Sequence, residues 1–369
     1  MSNLEKLLEG VEVEWLTLEE VATITIGEFV HQTRQNGLAD YPVYNGGISP
    51  TGYYEKYNNT GDKIIVSARG ANAGFVNRIS KPYWAGNSCY SVGIKDNSYL
   101  DWLFVYYYLK NSEISLISSQ QKGSIPSVSK AQMEKLQIPI PPLEVQKEIV
   151  RILEKFTELT AELTAELTAR KQQYEYYREQ LLSFEDGEVE WKTLGEVFEM
   201  KAGHHISAEN INPIHDDTHH FPCYGGNGVR GFVKKYSHDG EYIFIGRQGA
   251  LCGNVQRFKG KFYATEHAVV VASNGILNID FAFYYLTIMN LNQYASKSAQ
   301  PGLAVGNLSN LKIPIPSLTE QERIVAILDK FDILTTSISE GLPKEIELRK
   351  KQYEYYRDLL LTFPKNNIT

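Results

Sequence analysis

Cysteine is scarce: the 369 residues hold three, at 89, 223 and 252, an odd number without a CxxC spacing. That pattern excludes a disulfide framework and a thiolate zinc site, and it leads us to expect a reducing, cytoplasmic compartment. Apolar runs of membrane-spanning length are missing, and no signal peptide opens the chain. Signature motifs of catalysis are missing too. There is no GxxxxGK[ST] phosphate loop, no GxSxG elbow and no HExxH pair. An NPPY-type tetrapeptide of amino-methyltransferases is also absent, because Asn212-Pro213-Ile214 lacks the second proline and the aromatic. His204, His205, His215, His219 and His220 crowd one stretch but lack an i, i+4 helical pairing, so we read a surface loop rather than a metal site. Cys223 and Cys252 read as small buried residues rather than nucleophiles.

A large charge of either sign is also lacking. The net charge is −7, and the two long helical stretches described next account for −4 of it, with 17 acidic and 13 basic residues. Residues 14–142 carry 11 of each sign, and residues 185–317 carry 13 acidic and 11 basic residues with seven of the eight histidines. The globular parts are near neutral, so charge alone leaves nucleic-acid binding open.

What is present is repetition. From Leu143 to Phe184 the chain runs without Pro or Gly, and Val145, Ile149, Ile152, Phe156, Leu159 and Leu163 step by 4, 3, 4, 3, 4. That is a heptad seam. It predicts a rod of roughly 60 Å at about 1.5 Å per residue, far longer than an ordinary globular helix. Within 157–169 the TELTAELTAELTA run changes the period, since Leu159, Leu163 and Leu167 recur every four residues. Residues 318–363 repeat the pattern. LEVQKEIVRILEKF matches LTEQERIVAILDKF at an offset of 175, and RKQQYEYYREQLLSF matches RKKQYEYYRDLLLTF at 179. The second helix thus holds four extra residues in its middle, about one turn. An intramolecular antiparallel pair fits best, because both seams share length and period. Independent helical hairpins, or a coiled coil with another chain, fit the same seams.

The globular parts repeat as well. VEWLTLEEV (13–21) matches VEWKTLGEV (189–197), YNGGISPTGYY (44–54) matches YGGNGVRGF (224–232), and 63–92 matches 242–271. KIIVSA and YIFIG read as strands between glycine turns. Residues 99–111 and 278–290 read as one aromatic core helix per domain. IPIPPL (138–143) and IPIPSL (313–318) read as stiff, extended lead-ins in which proline denies helix and strand. The N-terminal NLEKLLEG resembles the end of a helix, like REQLLSFEDG, so the N-terminus is expected near the end of the second long helix.

The domain expectation is therefore 1–142 and 185–317 as related globular domains, 143–184 and 318–363 as helices, and 364–369 as a tail. With the repeat, the two IPIP(P/S)L-helix blocks, the YxGG loops, the RGANAG and RQGALCGN turns and the TAEL run on the page, the chain resembles the specificity subunit of type I restriction–modification enzymes over essentially its whole length. The resemblance implies an α+β fold, with two globular α/β target-recognition domains separated by two long antiparallel coiled-coil helices in a pseudo-twofold tandem repeat. It also implies double-stranded DNA as ligand, read as a split site with the helices as ruler. Two modification subunits carrying S-adenosylmethionine and restriction subunits using ATP are the implied partners, with no catalysis and no cofactor on this chain.

Phosphate contacts are expected from Lys and Arg, and base readout from Arg, Asn, Gln and Ser/Thr in loops. The candidates are Arg69, Asn72, Arg78, Asn87, Gln120, Gln121 and Lys122 in the first domain. In the second they are Arg230, Lys234, Lys235, Arg247, Gln248, Arg257 and Lys297. Arg69 and Arg247 stand out because each follows a strand and enters a Gly-rich turn. A coiled-coil scaffold without a DNA role is the alternative, opposed by the matched Gly- and Arg-rich loops. A nuclease or methyltransferase is the other, opposed by the missing motifs.

Overall fold

The computed structural model describes residues 5–113, 116, 126–185, 187–249, 251–297 and 301–364. The chain divides into two compact units, Met1–Thr164 with Glu345–Thr369, and Ala165–Lys344. Both boundaries fall within helices.

In the first unit a four-stranded antiparallel sheet runs in the order Ala22–Ile26, Cys89–Ile94, Lys63–Ser67, Val76–Ile79. Strand Lys63–Ser67 is apolar without alternation because both its faces are buried. Ile64 and Val66 face the main core with Phe104 and Leu109, whereas Ile65 faces a smaller core with Tyr83 and Cys89. The second unit repeats this division. Ile243 and Ile245 join Phe281 and Leu286 in one core, and Phe244 joins Tyr224 and Phe262 in the other. Its sheet has six strands, because Val255–Ala264 runs on to pair in parallel with Phe221–Gly225. In the first unit the corresponding stretch is split into Val76–Ile79 and Trp84–Ala85, with Pro82 between them. One aromatic helix covers each main core, Trp102–Asn111 and Ile279–Ile288. Asp101 and Asn278 cap them by accepting from the second and third backbone N–H groups beyond.

The IPIP segments do form strands. Gln137–Ile140 pairs with Glu14–Thr17, with Trp15 opposite Pro139, and Lys312–Ile315 pairs with Glu190–Thr193, with Trp191 opposite Pro314. Each ladder has only two strands, so proline's missing N–H falls on an open edge and costs no ladder bond.

The first long helix is continuous over Leu143–Leu181. Near its start the deeply buried residues are Gln146, Ile149, Val150 and Leu153, which pack on the globular core, while the heptad seam residues Ile152, Phe156, Leu159 and Leu163 are half-buried. Gln146 ties the helix to its domain: its Oε1 accepts from Asp101 N–H, and its Nε2 donates to the Tyr99 and Pro141 carbonyls. Gln321 repeats this in the second unit with Asn278 N–H and the Pro316 carbonyl.

The 318–363 segment is not one helix. It comprises Leu318–Thr336 and Gly341–Leu360, and the break at 337–340 spans four residues, the same number as the surplus between the two matched blocks. Gly341 enters the next helix at φ +77°, where a Cβ would lie 2.3 Å from the Ile333 carbonyl oxygen. Pro343 follows in the first turn, which tolerates its missing N–H.

Within each unit the helix segments meet through the same aromatics. Phe156 packs on Tyr353 and Tyr356 in the first unit, and Phe331 packs on Tyr174 and Tyr177 in the second. Leu360, Leu361 and Phe363 enter the first core beside Ile149 and Leu153, and Leu182 enters the second beside Ile324 and Leu328. Each pair therefore runs antiparallel. Trp15 Nε1 donates to the Pro364 carbonyl at 3.3 Å, so the N-terminal strand lies beside the residues that follow the last helix. No helix among the described residues is long and apolar enough to cross a membrane.

Candidate nucleic-acid interface

In each domain four chain segments converge where the central strand ends. In the first, Ala68 N–H donates to the Ser88 carbonyl, Val128 N–H to the Ala68 carbonyl, and Gly70 N–H to the Pro126 carbonyl. In the second, the same three bonds link Arg247 to His267, Leu303 to Arg247, and Gly249 to Pro301. Gly70 and Gly249 hold φ +96° and +89°, a turn that disfavours a side chain. The YxGG loop closes over this turn. A Cβ on Gly46 would lie 2.1 Å from the Arg69 carbonyl oxygen, and one on Gly226 would lie 3.2 Å from that of Gln248.

These contacts fix the correspondence. Arg69 is matched by Gln248, and Arg247 by Ala68. Successive residues of extended backbone point to opposite sides, so Arg69 and Arg247 are not copies of one reader.

In the second domain the convergence forms an open cleft of about 500 Å³, lined by Gly226, Asn227, Gly228, Val229, Arg230, Gln248, Leu251 and His267. Gln248 Oε1 and His267 Nδ1 are 2.8 Å apart. Arg247 is half-buried, and its Nη1 donates to the Glu266 carbonyl at 3.3 Å. Glu266 Oε1 is 3.0 Å from His205 Nδ1, while Oε2 is buried without a hydrogen-bond partner. Burial pushes the Glu266 carboxyl up, but the His205 hydrogen bond and its own backbone outweigh this and hold it below its ordinary value. It is thus an ionised acceptor on the residue whose backbone carbonyl receives the Arg247 guanidinium. Glu266 and His267 were not singled out in the sequence. Their one signal was alignment, since Glu266 occupies the position of Asn87.

The other candidates divide clearly. Arg69 and Asn87 are exposed at the first domain's turn, and Asn72 is half-buried there with its carbonyl accepting from Phe75 N–H. Arg230 is exposed on the cleft rim. Lys234 and Lys235 are exposed just past strand Gly228–Val233, and Lys297 is exposed beside Ser296, whose N–H donates to the Gly302 carbonyl. Gln120, Gln121 and Lys122 lie outside the described residues.

Arg78 and Arg257, also among the expected DNA contacts, pair with carboxylates of their own units. Arg78 pairs with Glu154 of the long helix and lies over the Tyr106 and Tyr107 rings. Arg257 pairs with Asp280 at 2.6 Å and Asp329 at 2.8 Å, and lies over Phe283 and Tyr284. Both guanidinium groups are engaged within their own unit. The buried thiols are inert: burial raises Cys89 to about 12 and Cys223 to about 11.

Comparison with known proteins bears on the whole chain. The family model for the type I restriction modification DNA specificity domain matches twice, at residues 10–170 and 187–348. The EcoprrI specificity subunit of Escherichia coli is 48% identical over 92% of both chains. The EcoR124I/EcoR124II specificity subunit of the same organism is 34% identical over 99% of this chain and 98% of its own length. Among solved structures, the S subunit of a type I restriction-modification system from M. genitalium superposes with TM-score 0.66 over 97% of both chains at 21% identity, a likeness of fold.

Proposed function

The chain belongs to the type I restriction–modification DNA specificity family, and from that membership we propose that each globular domain reads one half of a split DNA target while the helices set the distance between the halves. It is a specificity subunit, a DNA-recognising and non-catalytic member of a complex with modification and restriction subunits. The reading domains are residues 1–142 and 185–317, and the spacer segments are 143–184 and 318–363, followed by the 364–369 tail. S-adenosylmethionine and ATP belong on the partner subunits. A DNA ligand and three buried free cysteines support a cytoplasmic location.

The observation that carries this reading is the duplicated strand-exit turn, whose backbone frame is the same in both domains while its side chains differ. One frame with two sets of donors and acceptors is what two different half-sites require. Arg69, Asn72 and Asn87 present donors and acceptors in the first domain. Arg230, Arg247 and Gln248 do so in the second, with the Glu266 carboxylate added as an acceptor suited to a cytosine amino group. Lys234, Lys235 and Lys297 supply phosphate contacts. Arg247→Ala should weaken methylation at the second domain's half-site by a factor corresponding to roughly 1–3 kcal/mol, a bidentate base contact. The first half-site should remain specified. Competition binding against half-site libraries measures this, and unchanged preference at both halves would remove Arg247 from the readers.

Two modification subunits per chain is the favoured assembly. In QYEYYREQLL and QYEYYRDLLL the inward tyrosines pack on Phe331 and Phe156, whereas Tyr176 and Tyr355 stand 60% and 62% exposed at matching positions. A duplicated exposed aromatic beside a closed seam suits the same partner docking twice. Native mass spectrometry of the active methyltransferase should find two modification subunits, and a fully active complex with one would contradict this.

A further inference from the structure

The two domains have drifted in sequence, yet each keeps one three-part contact to its spacer helix. In the first unit the Arg78 guanidinium on strand Val76–Ile79 pairs with Glu154 of helix Leu143–Leu181, its Nη2 reaching Oε2 at 3.2 Å. Tyr107 of the aromatic helix donates its hydroxyl to the same carboxylate. In the second unit Arg257, Tyr284 and Asp329 occupy the matching places. Arg257 Nη2 lies 2.8 Å and the Tyr284 hydroxyl 2.6 Å from Asp329 Oδ1. Glu154 and Asp329 are separated by 175 residues, the offset of the helix block in which they stand.

We propose that these two clusters, Arg78–Tyr107–Glu154 and Arg257–Tyr284–Asp329, are positioning devices that fix the angle of each reading domain on its spacer helix, and so hold the target to a single spacer length. The geometry supports this over simple adhesion. Apolar burial around Ile149 and Leu153, or Ile324 and Leu328, already joins each helix to its core. Apolar contact is non-directional and tolerates sliding. A planar guanidinium bonded to a carboxylate and held over aromatic rings is directional and admits one orientation. Each cluster ties three elements at one point: a sheet strand, the core helix and the spacer helix. With the carboxylate about two turns beyond buried Gln146 and Gln321, each domain is gripped at two points along the helix, and two grips remove rotation that one would permit.

This inference rests on the proposed split-site reading. The test is the methylome of cells expressing the chain with its modification subunits. Three forms are compared: unaltered, R78M/E154M with R257M/D329L, and the milder Y107F with Y284F. The unaltered chain should methylate one bipartite motif with one spacer, and if it methylates no bipartite motif, the split-site reading itself fails. In the four-residue variant both half-site sequences should persist. Methylation at spacers one base pair longer or shorter should rise at least about tenfold relative to the parent spacer. The tyrosine variants, which keep the ion pairs, should show a smaller rise in the same direction. If the parent spacer stays exclusive in whichever variants remain folded by thermal melt, the clusters only stabilise the fold and the proposal is overturned. A fourth form, Arg78→Lys with Arg257→Lys in the otherwise unaltered chain, keeps the charge but not the planar fork, so its spacer tightness should fall between those of the parent and the four-residue variant.

Discussion

Deleting Thr164–Leu167 should move the target by about one base pair without changing either half-site. The deletion removes one TAEL unit, about 6 Å of helix rise, and turns the following residues by roughly 40° from an integral turn. DNA rises about 3.4 Å per base pair along a strand, so the shift amounts to one or two base pairs, and bending of the helices favours one. The local structure supports tolerance. Thr157, Thr160 and Thr164 return their hydroxyls to carbonyls one turn back, Glu162 and Glu166 are exposed, and the leucines are half-buried. The boundary between the compact units falls at Thr164 and Ala165, within this run. Methylation of the parent target should fall by at least about a hundredfold, because misplacing one half-site loses several base contacts worth roughly 1–3 kcal/mol each. Methylome sequencing reads both changes at once. An unchanged spacer with full activity would mean that the helix does not set the distance, and altered half-sites would mean that it takes part in readout.

Ending the chain after Leu359 should unfold the first unit and spare the second. Leu360 is fully buried, and Leu361 and Phe363 are 3% and 8% exposed, all within the first core, where Phe363 meets Phe104 edge-on. Losing two core leucines costs about 2–5 kcal/mol each and the phenylalanine about 3–5. The total, about 7–15 kcal/mol, is comparable to the whole stability of an ordinary domain, about 5–15 kcal/mol. Hydrogen exchange should show protection lost at Ile64–Val66 and kept at Ile243–Ile245. Equal protection at both strands would show that the first core stands without its C-terminal closure.

Much of this architecture was legible because a duplication reports itself. The seams, the paired offsets and the glycine turns mark the long helical stretches, the repeated domains and the strand-exit turns. The failures were local and physical. A surplus of four residues in the middle of 318–363 read as an added helical turn, since the role of Gly341 depends on the Ile333 carbonyl it must approach. Proline in IPIP argued against a strand, yet an edge position needs no N–H from it. The ion pairs of Arg78 and Arg257 were not legible, because residue type does not reveal a carboxylate 76 or 72 positions away in sequence. Glu266 and His267 form a site only once the turn brings them beside Gln248.

The closure of the first core by Leu360, Leu361 and Phe363 also sets an order of completion during synthesis. The second unit is contiguous, Ala165–Lys344, whereas the first is assembled from Met1–Thr164 and Glu345–Thr369. Domains generally complete from the N-terminus as the ribosome proceeds, at about 5–20 residues per second. Here the rule is inverted: the half made second is finished first. The half made first waits, with the apolar surface that Leu360, Leu361 and Phe363 will cover still open, until those residues have been added. A nascent chain stalled before those residues is a ready client for chaperones, and a C-terminal fusion would load the very segment that completes the N-terminal domain.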